Sequence, residues 1–236
     1  NVEFTKSGDN HRYVQKYERM STSSLVNEKK LSGDQVVSMK VMPSYSSNEI
    51  DIAVNNGNST ITINGKQTEV KDFTPVDSEL SVANTIIRGI DSQNNYFLVL
   101  VTGNDKVIAN DTISISGHNS AKIVSYYENP DEGFMIGGSA ESDNNSGTNG
   151  FLAEFENDGT KVAEKIIEGS KLEGNDPTIR YILKYSNGYI QIKYGKDLQH
   201  ITHINDFTSN IGNVNNRPVV SSLAVSNGKT YEVVEE

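Results

Sequence analysis

The chain has 236 residues, 31 acidic against 21 basic side chains, a net charge of -10 and no cysteine. That length accommodates one large or two small domains, the charge and the lack of any basic stretch interleaved with aromatics argue against nucleic acid as a partner, and the missing cysteines exclude disulfides, thiolate nucleophiles and cysteine metal sites. No apolar run approaches eighteen residues, so no helix is expected to insert into a membrane.

The first residues, NVEFTKSGDN, hold neither a basic segment nor an apolar signal core, and the chain starts without Met. This reads as a mature or trimmed product, without whatever export signal or anchor it once carried, if any. Apolar residues then alternate with polar ones, or form short runs, with almost no helical periodicity. Strands are expected to end at Asn56-Gly57, Asn64-Gly65, Asp158-Gly159, Asn187-Gly188 and Asn227-Gly228, dipeptides that supply the positive φ of tight hairpins.

Taken in chain order, a strand followed by a polar turn and a second strand recurs in VVSMKVM to EIDIAV, TIIRGID to YFLVLV, TIRYILKY to YIQIKY and VVSSLAV to TYEVV. The clearest unit runs from Ala121 to Gly169: AKIVSYY, FMIGGSA, GFLAEF and TKVAEKII, joined by ENPDEG, ESDNNSGTN and ENDG. First strands beginning near Val36, Ala83, Ala121, Thr178 and Val219 give a mean spacing of roughly 46 residues, the period of four-stranded propeller blades. A meander of four strands is stabilised by stacking on copies of itself.

The segment FMIGGSAESDNNSGTNGFLAEFENDGTKVAEKI resembles the repeats of bacterial β-propeller proteins, in which a glycine-rich second strand precedes a variable loop and a strand ending in an acidic-Gly turn. The expected fold is all-β: a single propeller of about five four-stranded blades, at about 219–236 plus 1–33, 34–76, 77–118, 119–172 and 173–218, the two ends of the chain closing one blade. Two β-sandwich domains, near 1–118 and 119–236, are the alternative, since seven short strands per hundred residues suit a sandwich too.

In a propeller the residues just before each first strand surround the channel mouth, so Asp34, Glu79 with Asp77, Asn119 with His118, Asp176 and Arg217 form the candidate ligand-binding ring, suited to hydroxyl groups or a hard cation. The plain alternative is that these residues cap turns. No catalytic residue is assigned and no cofactor is expected, with calcium alone left open. The loop Glu141 to Gly150 has Asp and Asn at ligand-like spacing for calcium but lacks the closing bidentate Glu. His200 and His203, three apart on a strand, point to opposite faces. The tyrosines Tyr96, Tyr126, Tyr127, Tyr181, Tyr185, Tyr189 and Tyr194 are expected to pack between blades. The resulting reading is a non-catalytic binding or scaffold module, secreted or on a bacterial cell surface, for a glycan, peptide or protein. A carbohydrate-active hydrolase using the acidic ring and a structural assembly subunit are the alternatives.

Overall fold

A computed structural model describes residues 1–19, 23–43, 48–129, 132–144, 147–171, 176–185, 190–196, 198, 200–204, 207, 223–226 and 229–232. The fold is all-β, built of antiparallel sheets, and among the described residues the only helical element is a three-residue 3-10 turn at Gly169–Lys171. Two compact units divide the chain. One comprises residues 1–114 with 130–133 and 156–160; the other holds 115–129, 134–155 and 161–236.

In the first unit, β1 (Val2–Thr5), β2 (Arg12–Arg19), β3 (Ser23–Ser32), β4 (Gln35–Val41), β5 (Ile50–Asn55), β6 (Asn58–Ile63) and β7 (Lys66–Val70) form one seven-stranded sheet in sequential order. The blade border expected between residues 33 and 34 therefore falls at the β3–β4 turn inside a continuous sheet. Val41, Ile50 and Ile63 stand opposite one another, as do Met39, Ile52 and Ile61, and all six are buried. The alternate positions Asp51 and Ala53 face solvent. This two-residue alternation fixes the register, because a slip by one residue would expose the whole apolar set. Asn56-Gly57 and Asn64-Gly65 take φ of 50° and 80°, and of 51° and 77°, the left-handed pairs that close two-residue hairpins.

The second sheet of this unit is the meander β8 (Thr74–Leu80), β9 (Asn84–Ile90), β10 (Tyr96–Thr102) and β11 (Val107–Ile108), with β8 at one edge. It begins at Thr74 rather than near Ala83, because the polar run TPVDSEL is itself a strand. A bulge between Pro75 and Asp77 interrupts its ladder to β9.

In the second unit, β12 (His118–Asn129), β13 (Gly133–Ser142), β14 (Thr148–Phe155) and β15 (Lys161–Ile167) form the four-stranded meander read from the sequence. Next comes the three-stranded sheet β16 (Ile179–Lys184), β17 (Ile190–Tyr194) and β18 (His200–Ile204), then the hairpin β19 (Leu223–Ser226) and β20 (Lys229–Glu232). Met135, Leu152, Ile167, Ile179, Ile182, Ile190, Ile192, Tyr194 and Ile204 make the core between the first two of these sheets. The first strands are also tied directly, Ser125 Oγ donating to the Ile179 carbonyl at 2.8 Å and Tyr127 Oη to that of Lys184 at 3.1 Å. The glycines explain how closely the sheets approach: a Cβ on Gly137 would lie 2.8 Å from Ser125 Oγ and 3.0 Å from Ile182, and one on Gly150 would lie 2.6 Å from the Pro177 carbonyl.

Candidate functional site

Three of the expected ring carboxylates, Asp34, Glu79 and Asp176, are each paired with an arginine, and the fourth, Asp77, with Lys16. Asp34, in the β3–β4 turn, meets Arg12 of β2 at 3.1 Å. Glu79 of β8 is hydrogen-bonded by Arg88, the neighbouring strand's guanidinium. Asp176, just before β16, accepts from Arg180 at 2.9 Å and from the Thr178 amide at 3.0 Å. Five arginines occur in the whole chain, at positions 12, 19, 88, 180 and 217. Three of them are used on these three carboxylates. Asp34 is 99% exposed and the Glu79–Arg88 pair about half exposed, so these groups stand in water. Asp176 is more enclosed: burial pushes its carboxyl up, but the hydrogen bonds from Thr178 and Arg180 outweigh that and hold it below the usual carboxylate range.

Asn119 is exposed on β12. Its neighbour His118 contacts the Ser116 carbonyl through Nδ1 at 2.8 Å and the Asn149 side chain through Nε2 at 3.0 Å, so both ring nitrogens are engaged within the second unit. Arg217 lies outside the described residues. In the loop that follows β13, Ser142 Oγ donates to Asn144 and the Asp143 amide to the Gly117 carbonyl. Among the described residues no three His, Cys, Asp or Glu side chains gather in a metal-holding group. His200 stacks on Tyr194, its directly paired neighbour on β17, with ring centroids 5.2 Å apart. Tyr194 and Tyr127 belong to the core, whereas Tyr96 is two-thirds exposed, contrary to the packing expected of it, because β10 turns it to the outward side at its first residue. Tyr189 lies outside the described residues.

Two further polar clusters lie in the first unit. In one, Asp9 accepts from Tyr13 Oη at 2.6 Å and from the His11 amide at 3.0 Å, is bonded to His11 Nδ1, and pairs with Lys30 at 3.2 Å. Hydrogen bonds from Tyr13 and His11 hold its carboxyl far below the usual range. Lys6 lies 4.0 Å over the Tyr13 ring.

The other cluster joins the two sheets of the first unit. Lys16 and Asn27 are directly opposite on β2 and β3, Asn27 faces Val41, and Lys29 faces Met39, so all three project from the same side of the seven-stranded sheet as its apolar core. There they meet β8. Lys16 Nζ donates to Asp77 at 3.1 Å and to the Ser78 carbonyl at 2.8 Å, Asn27 Nδ2 to Ser78 Oγ at 2.7 Å, and Lys29 Nζ to the Val76 carbonyl at 3.0 Å. An edge strand presents main-chain groups that no neighbour uses. Here lysines and an asparagine cover that edge. Burial pushes the Asp77 carboxyl up, yet the hydrogen bond and charge of Lys16 and the Ser78 amide leave it below the usual range.

Sequence reasoning picked out Asp77 but not its partners. Lys16, Asn27 and Lys29 look like surface residues of polar strands, and a bulge opposite Lys16–Tyr17 shifts the phase of β3 between Leu25 and Asn27. The signal was a conflict of phase: Val14 and Lys16 share one face of β2, and Asn27, Lys29 and Leu31 share one face of β3.

Comparison with models of protein families, with curated proteins and with solved structures returns no match for this chain.

Proposed function

We propose that the chain is a non-catalytic binding or scaffold module of a secreted or cell-surface bacterial protein, its sheets the blades of a β-propeller of about five blades. On this reading the first and last segments close one blade, and a glycan, peptide or protein is recognised at the mouth of the central channel. The meanders β8–β11 and β12–β15, and the direct ties between β12 and β16, support the blade reading.

The observation that carries the functional reading is the set of three carboxylate–guanidinium pairs, Asp34–Arg12, Glu79–Arg88 and Asp176–Arg180. Exposed ion pairs of this kind contribute about 0–1 kcal/mol each to stability, so folding alone is a weak reason to place them. Chemically they are well suited to hydroxyl and amide groups. A carboxylate offers several acceptor positions and a guanidinium five donors in a fixed fork, and pairing holds both in place while leaving acceptors and donors unused. A hydroxyl-rich ligand can then be accepted from and donated to at once.

The test is a screen of immobilised glycans and peptides with the wild-type protein and with Asp34→Asn, Glu79→Gln and Asp176→Asn combined. Binding that is present in the wild type and lost in a folded triple variant supports the reading. Unchanged binding removes these residues from the site. Loss of hydrolytic turnover would point to a glycosidase instead, and loss of self-association to an assembly subunit.

A further inference from the structure

The side-chain amide of Asn27 is fully buried in the joint between the seven-stranded sheet and β8, and its two ends are treated differently. Nδ2 donates to Ser78 Oγ at 2.7 Å and lies 3.4 Å from Asp77 Oδ1. Oδ1 is buried and meets no donor among the described residues. Turning the amide over does not resolve this. It would set a carbonyl oxygen against the Asp77 carboxylate, whose charge is held by Lys16, and would leave the two amide protons as the orphaned end instead.

A buried acceptor without a donor carries the full penalty of its lost hydration, and folded proteins meet that demand with an internal water that makes two to four hydrogen bonds. The surroundings are suited to one. Asp77 and Lys16 are each partly open to solvent, at 38% and 26% of their side-chain surface, so the polar group around Asn27 reaches the water at its rim. The Asp77 carboxylate has acceptor positions beyond those given to Lys16 and Asn27.

We infer that the joint is a binding site for one ordered water molecule, which donates one proton to Asn27 Oδ1 and completes its bonding within the Lys16–Asp77–Ser78 group. The ligand is water rather than a metal ion, because the Lys16 ammonium already occupies the cationic position beside Asp77. This inference stands independently of what the exposed carboxylate–arginine pairs bind. The water is an integral part of the contact by which the seven-stranded sheet covers the β8 edge.

The experiment is a crystallographic map of the wild-type protein at a resolution that separates ordered solvent, so that no variant has to fold. The expected result is a solvent peak about 2.6–3.2 Å from Asn27 Oδ1 and within the same distance of a second polar atom of the joint. Absence of a peak there, or an Asn27 Oδ1 that accepts directly from Ser78 or Lys16, overturns the inference.

Discussion

Replacing Asp77 by Asn tests the joint between the two sheets of the first unit. The substitution keeps the shape and leaves Lys16 a neutral acceptor, but removes the charge that Lys16 meets at 3.1 Å and puts an amide beside the amide of Asn27. A hydrogen bond to a charged partner contributes about 1.5–3 kcal/mol where it is sheltered. Asp77 is 38% exposed, so water screens part of this, and the expected loss is about 1–2 kcal/mol at pH 7. With a urea dependence of about 2 kcal/mol per molar, the unfolding midpoint should drop by roughly 0.5–1 M.

The pH dependence gives the sharper check. Because the folded-state carboxyl lies below its usual value, its contribution is present above the unfolded-state value of roughly 3.9 and is lost as pH falls through the folded one. The gap between wild type and Asp77→Asn should therefore be full at pH 6–7 and narrow progressively below about pH 4. Other carboxyls titrate in the same range, but they are common to both proteins and cancel in the difference. Urea melts of both proteins at pH 6.5 and pH 3 measure it. An equal gap at the two pH values, or none at pH 6.5, would refute the account of Asp77 as a charged strut.

The second unit makes its own predictions. Gly138→Ala would drive a methyl group into the Lys122 carbonyl oxygen, backbone that cannot yield as a side chain can, and should destabilise by about 3 kcal/mol, read from denaturant melts. Phe134→Ala removes a buried ring stacked on Phe155 at 5.1 Å and should lose about 3–5 kcal/mol by the same assay. The triple variant Asp34→Asn, Glu79→Gln, Asp176→Asn should by contrast keep its far-ultraviolet circular dichroism and lose no more than about 3 kcal/mol, each pair being worth about 0–1. A collapse of the fold there would show that these pairs are structural.

What could be read in advance divides along physical lines. The meander β12–β15 was legible because each of its strands is apolar and bounded by a turn with its own chemistry, and the two Asn-Gly hairpins were legible because their φ values leave few other residues acceptable. The strand β8 was not legible as an element, since TPVDSEL contains a proline and four polar or charged residues. Proline is tolerated there because β8 is an edge strand with a bulge after Pro75, where a missing N–H leaves no gap in the ladder. The carboxylates Asp34, Glu79 and Asp176 were visible by position, while the arginines that hold them were not. Arg12 and Arg88 are 22 and 9 residues away from their partners, and only strand pairing brings them close.

The same contrast separates the residues that hold the fold from those free to bind. Lys16, Asn27 and Lys29 spend their donors on the main chain and side chains of one edge strand, which is a local and fixed partner, so substitution there should read out as stability. Arg12 and Arg88 spend theirs on carboxylates that remain half or fully in water, where the energetic return is small and the spare donors stay accessible. Charged groups of the first kind are constrained by the sheet packing around them, and those of the second kind are constrained by nothing the fold requires. A variant series that divides these two sets by stability alone, the joint sensitive and the exposed pairs silent, is therefore the necessary first step before any loss of ligand binding at Asp34, Glu79 or Asp176 can be read as the loss of a contact.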